Sequence, residues 1–333
     1  MNEILLTLSF ILALLLTLYG TPVARKVAFR YGILDRPDGH LKKQKEPVPY
    51  MGGVIIYFAF ISPVGIMFPF SRELLGILFA GSTILMVGLF DDLKALTPTI
   101  KFLFQVVATY ILIKSGIRIS LYFLPNWLNI ILSFLWILAI INAFNIIDIM
   151  DGLAPSVAMF ASLTIFIISL YNVKFIISIL SLSLAASLLG FLKFNWEPAK
   201  IYLGDAGSMF VGLVLGALTI WGDYSTFNDF GFISGLLVLT VPVFDMVYVM
   251  ILRILHKKSP FFGSPDHFAL RLKKKYHLSA AKTVSLIIII QMVLSAVVIV
   301  NFYSSRVVTI VTTLIIFLLF SLFGILLARV KME

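Results

Sequence analysis

The 333-residue chain contains no cysteine, only 4 histidines and 16 acidic residues, and 13% charged residues in all, against 60% hydrophobic. Without cysteine there are no disulfides, no thiol chemistry and no cysteine-based metal site. A water-soluble protein carries roughly 25% charged and about 45–50% apolar residues, so a soluble domain is excluded and the bilayer is the implied solvent. At about 20 residues per span, about eleven spans leave roughly a hundred residues for every loop and tail. That is too little for an independent extramembrane domain, and residues 1–333 read as one integral-membrane unit.

Apolar runs at 2–20, 52–70, 74–90, 99–115, 126–144, 153–171, 174–192, 207–222, 231–252, 282–303 and 306–328 predict an all-α polytopic membrane protein of about eleven helices. With the loop after the first run placed in the cytoplasm, alternation leaves only Arg72, Lys114, Arg118, Lys174 and Arg306 of the 26 Lys and Arg on the opposite side. The positive-inside bias therefore sets the N-terminus outside and the C-terminus in the cytoplasm. The first run does not read as a cleavable signal, because Met1-Asn2-Glu3 lacks a basic segment and the positive cluster follows the apolar stretch. The net charge of +10 reflects this topology and attraction to anionic lipid. A nucleic-acid partner would need a basic surface on a soluble module, and none fits.

Five of the scarce acids fall in three short segments that alternation puts on the cytoplasmic side: Asp91 and Asp92 in GLFDDLK, Asp148 and Asp151 in NAFNIIDIMDG, and Asp205 in YLGDAGS. Carboxylates gathered at headgroup depth repel one another unless a cation sits among them, and a hard divalent ion is the simplest such cation. The Asp91-Asp92 pair alone reads equally as a solvated helix end with Lys94 as partner or as a metal or base site. Asn142, Asn145, Asp148 and Asp151 recur every three residues, so neighbours share a helix face, and Gly152 can end that helix in a left-handed cap. Such a polar row at the end of an apolar helix points to a ligand. In GDAGS a carboxylate sits between glycines at a helix start, where backbone N–H groups favour an anion.

Two other features stay open from the residues alone. Asp245, inside the ninth run with Arg253 two turns on, reads more readily as a helix-to-helix hydrogen bond than as a proton relay. His267, beside Asp266 and four residues before Arg271, reads either as a solvated loop histidine or as part of a phosphate-binding group.

Together, Asp91-Asp92, NAFNIIDIMDGLA, FNWEPAKIYLGDAGSMFVG and the early DRPDGHLKKQKEPVPYMGG resemble the polyprenyl-phosphate N-acetylhexosamine-1-phosphate transferases, glycosyltransferase family 4. The similarity runs in order from about residue 20 to 275. Eleven spans with an external N-terminus resemble the branch that attaches GlcNAc-1-phosphate to undecaprenyl phosphate at the start of teichoic-acid or O-antigen assembly. The resemblance implies a bacterial cell-membrane enzyme using a UDP-sugar and undecaprenyl phosphate, with Mg²⁺ or alternatively Mn²⁺ as cofactor and a homodimer as a compatible state. It implies that Asp205 and Asn145 ligate the metal and that Asp91 and Asp92 lie beside the lipid phosphate as catalytic groups. Asp148, Asp151 and Asn195 would contact the nucleotide-sugar, Tyr202 would face uracil, and Lys45 would meet phosphates or uridine. Two departures stand out: Asp148-Ile149-Met150-Asp151-Gly152 replaces the family's Asp-Gly-x-Asp-Gly, and of the usual histidine cluster only His267 and Arg271 remain as substrate-binding candidates. The competing readings are transfer of phospho-MurNAc-pentapeptide, a secondary transporter, and an inactive scaffold.

Overall fold

The computed structural model describes residues 2–35, 46–222, 231–259 and 264–332. Lys45 lies outside the described residues. The elements are α1 (Asn2–Tyr31), β1 (Leu34–Asp35), β2 (Val48–Pro49), α2 (Gly52–Met67), α3 (Arg72–Leu93), α4 (Pro98–Ser115), α5 (Asn126–Ile147), α6 (Leu153–Tyr171), α7 (Phe175–Asn195), α8 (Gly204–Trp221), α9 (Phe232–Leu237), α10 (Thr240–Leu255), α11 (Phe268–Lys275), α12 (Ala280–Tyr303) and α13 (Arg306–Ala328). The protein is all-helical apart from one small hairpin, in which Leu34 pairs with Pro49 and Asp35 with Val48.

Among the described residues, eight helices (α1, α3, α5, α6, α7, α8, α12 and α13) are long and apolar enough to cross a membrane. This is a multi-pass membrane protein. The runs expected at 52–70, 99–115 and 231–252 form helices that are shorter or more polar. The last is not one helix: α9 stops at Leu237 and α10 starts at Thr240. Pro242 explains the break, since it has no N–H to return to the Val238 carbonyl four residues back. Gln291 of α12 fills the gap, donating from Nε2 to Val238 O at 3.2 Å. A backbone acceptor left open at that depth would cost several kcal/mol.

The centre of the bundle is α8, which is mostly enclosed and packs against α2, α3 and α5. Where lipid solvates apolar side chains as well as protein does, helices associate through close backbone approach at small residues. Gly53 shows this: a Cβ there would lie 2.2 Å from the Gly207 backbone nitrogen, so the Met-Gly-Gly start of α2 lies directly on the start of α8. Further along, Phe210 meets Tyr57 edge-on, with centroids 5.2 Å apart, which locks α8 to α2. In contrast α13 is almost wholly exposed along its sides, as befits a helix facing lipid.

Candidate active site

Four helix ends converge at one end of the bundle. Asp91 and Asp92 close α3, Lys101 lies in the first turn of α4, Asn145 and Asp148 close α5, and Asp205 opens α8. The first-turn amides of α8 form the base of the site. Asp92 Oδ1 accepts from the Asp205 N–H at 2.8 Å and Oδ2 from the Ala206 N–H at 3.2 Å, so a carboxylate from α3 caps another helix at its positive end. Gly204 makes this approach possible. Its φ is +74°, and a Cβ there would stand 2.6 Å from Asp92 Oδ2.

The ammonium of Lys101 bridges two carboxylates. It donates to Asp91 Oδ2 at 2.8 Å and to Asp205 Oδ2 over a shorter contact. Asp91 Oδ1 accepts from the Leu96 N–H at 2.7 Å, which shapes the turn leading into α4. Asp205 Oδ1 accepts from Asn145 Nδ2 at 3.0 Å, and the same amide donates to Ser208 Oγ at 3.1 Å. One turn back, Asn142 pairs with the buried Gln105 of α4, its Nδ2 donating to Oε1 at 2.9 Å. The partner of the Asp pair is thus Lys101, through Asp91, and not Lys94.

The polar row expected on one helix face is divided. α5 ends at Ile147, with Asp148 as its cap residue, and Gly152, left-handed at φ +74°, begins α6 rather than ending α5. Asp148 and Asp151 therefore sit in a tight turn. Asp148 has no hydrogen-bond partner among the described residues. Burial, followed by the carboxylates of Asp205, Asp92 and Asp151, holds its carboxyl well above the usual range. Asp151 Oδ2 accepts from the Ala199 N–H at 2.8 Å; burial raises its carboxyl, with that N–H opposing and Glu197 adding to the rise.

Asp148 gives a stability prediction. A carboxyl whose pKa is higher folded than unfolded makes stability fall as pH rises from about 4 until the folded-state group has itself ionised. Asp148→Asn removes that loss. The variant should melt a few degrees above the wild type at pH 8 without divalent ions, with the gap closing towards acid pH. A melting scan across pH checks this, and a lower melting point for the variant at pH 8 would contradict it.

Asn195, buried at the end of α7, accepts from the Gly152 N–H at 3.0 Å and donates to the Ile201 carbonyl at 2.9 Å. It ties together the turns carrying Asp151 and Tyr202. Tyr202 pairs with the early segment: its N–H donates to Pro49 O at 2.9 Å and its carbonyl accepts from Gly52 N–H at 3.1 Å. Its ring is partly exposed and lies 6.0 Å from that of Tyr50. Burial and the carboxylates of Asp151, Asp35 and Asp148 push the Tyr202 phenol up to about 12. The Tyr50 phenol is raised further, by burial, by its hydrogen bond to Asp35, and by Asp35, Asp92 and Asp205.

His267 and Arg271 form a separate buried group at the α10–α11 junction. His267 Nδ1 lies 2.8 Å from Asp245 Oδ2, and the Phe268 N–H donates to Asp245 Oδ1 at 2.9 Å, the helix-to-helix link expected of Asp245. Arg271 pairs with Asp266 at 2.5 Å and donates to the carbonyls of Leu327, Ala328 and Val330, capping α13. Burial raises the Asp266 carboxyl, but the Ser264 hydroxyl and then the Arg271 guanidinium hold it below its ordinary range. Arg253 donates to Ser259 O rather than reaching towards Asp245.

The donor set suits a hard cation. Asp205 and Asp148 offer carboxylate oxygens, Asp148 lacks a partner, and a half-turn of the Asn145 amide would present its oxygen where its NH₂ now meets Asp205. Mg²⁺ needs only one or two protein carboxylates, and no group of three acidic or histidine side chains converges on one ion-sized point among the described residues.

Fold and site thus define a multi-pass membrane protein with an acid-rich, lysine-bridged cluster at one end of its helices. A family description, glycosyl transferase family 4, matches residues 74–223. The chain is 31% identical to a probable undecaprenyl-phosphate N-acetylglucosaminyl 1-phosphate transferase of Bacillus subtilis, over 87% of this chain and 83% of that one. It is 28% identical to a decaprenyl-phosphate N-acetylglucosaminephosphotransferase of Mycolicibacterium smegmatis, over 80% and 74%. It is also 31% identical to a phospho-N-acetylmuramoyl-pentapeptide-transferase of Clostridium beijerinckii, over 65% and 72%. The chain belongs to glycosyl transferase family 4, among the polyprenyl-phosphate N-acetylhexosamine-1-phosphate transferases.

Proposed function

We propose that this protein transfers GlcNAc-1-phosphate from UDP-GlcNAc to undecaprenyl phosphate at the cytoplasmic face of a bacterial cell membrane, releasing UMP and starting a cell-surface glycan. The observation that carries the reading is the meeting of Asp91, Asp92, Lys101, Asn145 and Asp205 at one end of apolar helices. A lipid acceptor keeps its tail in the bilayer and its phosphate at headgroup depth, while the nucleotide-sugar arrives from water. Both suit a site at helix ends, whereas a transporter would be expected to place its acids near the midplane.

In the reaction, an oxygen of the lipid phosphate bonds to the β-phosphorus, and the bond from that phosphorus to the bridging oxygen breaks, UMP leaving with the electron pair. One pyrophosphate link replaces another, so positioning and charge neutralisation supply most of the catalysis. Asp205 and Asn145 would hold Mg²⁺, which when bound would supply charge neutralisation for the reacting pyrophosphate. Lys101 offers a second positive charge beside it, and Asp91 keeps that ammonium in place. Tyr202 offers a ring face to uracil, Asn195 holds the turn that carries it, and Asp148 and Asp151 border the same space. Lys45 joins as a phosphate or uridine contact. His267 and Arg271 act by shaping the α11 loop next to the sugar. Because a phosphomonoester has a second pKa near 6, the acceptor needs little help from a base at neutral pH.

Purified protein supplied with undecaprenyl phosphate, Mg²⁺ and a panel of UDP-sugars should release UMP with UDP-GlcNAc and stop when Mg²⁺ is chelated. Release only with UDP-MurNAc-pentapeptide would favour the reading suggested by the Clostridium beijerinckii relative, and no release with any donor would defeat the proposal. Exchange of labelled UMP into UDP-GlcNAc without the lipid would mark a two-step route through an aspartyl phosphate.

A further inference from the structure

Of the five cations that fall opposite the cytoplasmic side, three share one pocket: Arg72, Lys114 and Arg118. Arg72 opens α3, Lys114 lies in the last turn of α4, and Arg118 follows Gly116, the left-handed cap of that helix. An Arg72 Nη donates to the Lys114 carbonyl at 2.5 Å and joins the two helix ends. The pocket encloses about 470 Å³, and its wall below the cations is formed by Tyr110, Ile130 and Phe134. The Lys114 ammonium stands 5.5 Å from the centre of the Tyr110 ring. None of the three cations has a carboxylate partner among the described residues.

Position and chemistry together identify a ligand class. Arg72 and Asp91 lie about 29 Å apart along α3 at 1.5 Å per residue, close to the thickness of the hydrocarbon core. The pocket is therefore at the other membrane interface from the acid cluster, where topology leaves few positive charges. Three cations without an ion-paired carboxylate among the described residues, over an apolar wall on the side of the bundle, match a molecule with an anionic head and an aliphatic body. We propose that this pocket binds an anionic phospholipid of the opposite leaflet, its phosphodiester between Arg72, Lys114 and Arg118 and its first methylenes against Tyr110, Ile130 and Phe134. Inorganic phosphate shares the head chemistry but makes no use of the wall.

Native mass spectrometry of the full chain, released from detergent containing equal phosphatidylglycerol and phosphatidylcholine, reads which lipid stays bound. The wild type should retain one phosphatidylglycerol with a preference of about a hundredfold over phosphatidylcholine, the scale expected for three basic side chains at a lipid surface. R72Q/K114Q/R118Q should bring that preference near unity while still releasing UMP in neutral detergent, and R118Q alone should lower it part of the way. An excess of inorganic phosphate should leave the lipid count unchanged. Equal retention of both lipids by the wild type overturns the assignment. So does an unchanged preference in R118Q and the triple variant, or displacement of the lipid by phosphate alone.

Discussion

Lys101→Gln is expected to lower UMP release by at least about a hundredfold, the scale of removing one electrostatic group from a reacting phosphate site. The ammonium is the one group that contacts both Asp91 and Asp205 among the described residues. Without it two carboxylates face each other beside Asp92 and Asp148 with no ammonium between them. The side chains are partly exposed, so the stability loss should be about 2 kcal/mol rather than the 3–5 of a fully buried pair with one partner removed. If Lys101 and Mg²⁺ share Asp205, the variant should also reach half-saturation at lower Mg²⁺. Lys101→Arg should restore part of the stability and little of the rate, because a planar fork does not fit where a single ammonium sits between two acids. Turnover within threefold of the wild type for the glutamine variant would remove Lys101 from the site.

Asp205→Asn should have a still larger effect on rate and a much smaller one on the fold. The substitution keeps the shape of the side chain and cancels the charge that meets Lys101. The first turn of α8 is held by backbone N–H groups on Asp92, which the change does not touch. Activity should drop about a thousandfold while the melting point moves by only a few degrees. Asp92→Asn supplies the contrast. It weakens the cap of α8, so it should lower the melting point along with the rate. Melting curves and UMP release on the two variants side by side separate a charge needed for chemistry from one needed for architecture. An Asp205→Asn protein that kept a tenth of the activity would end the case for Asp205 as a metal or phosphate residue.

Much of this arrangement could be read from residue types because the bilayer makes charge rare. In a chain with so few acids, Asp91, Asp92 and Asp205 stand out, and the structure does bring them together with Asn145. The spans were equally legible wherever apolar runs were long and uninterrupted. What stayed hidden depends on pairings between distant segments. Lys101 looks like an interfacial anchor until α4 is laid beside α8, because nothing local links residue 101 to residue 205. The regular spacing of Asn142, Asn145, Asp148 and Asp151 suggested one helix face, but spacing alone does not register that α5 stops at Ile147. By composition, His267 beside Asp266 and Arg271 fits a solvated loop histidine or a phosphate-binding group equally. Their buried partners, Asp245, Asp266 and the carbonyls at the end of α13, are 22, 5 and 56 or more residues away.

The break before α10 has a mechanical consequence. An unbroken helix keeps its two ends in fixed relation through a continuous hydrogen-bond ladder, and α3 and α4 run unbroken between the Arg72–Lys114 end and the Asp91–Lys101 end. At Val238 the ladder is interrupted, and the loose carbonyl is held by Gln291 from a different helix. A displacement of α9 therefore reaches α12 through this hydrogen bond as well as α10 through the chain.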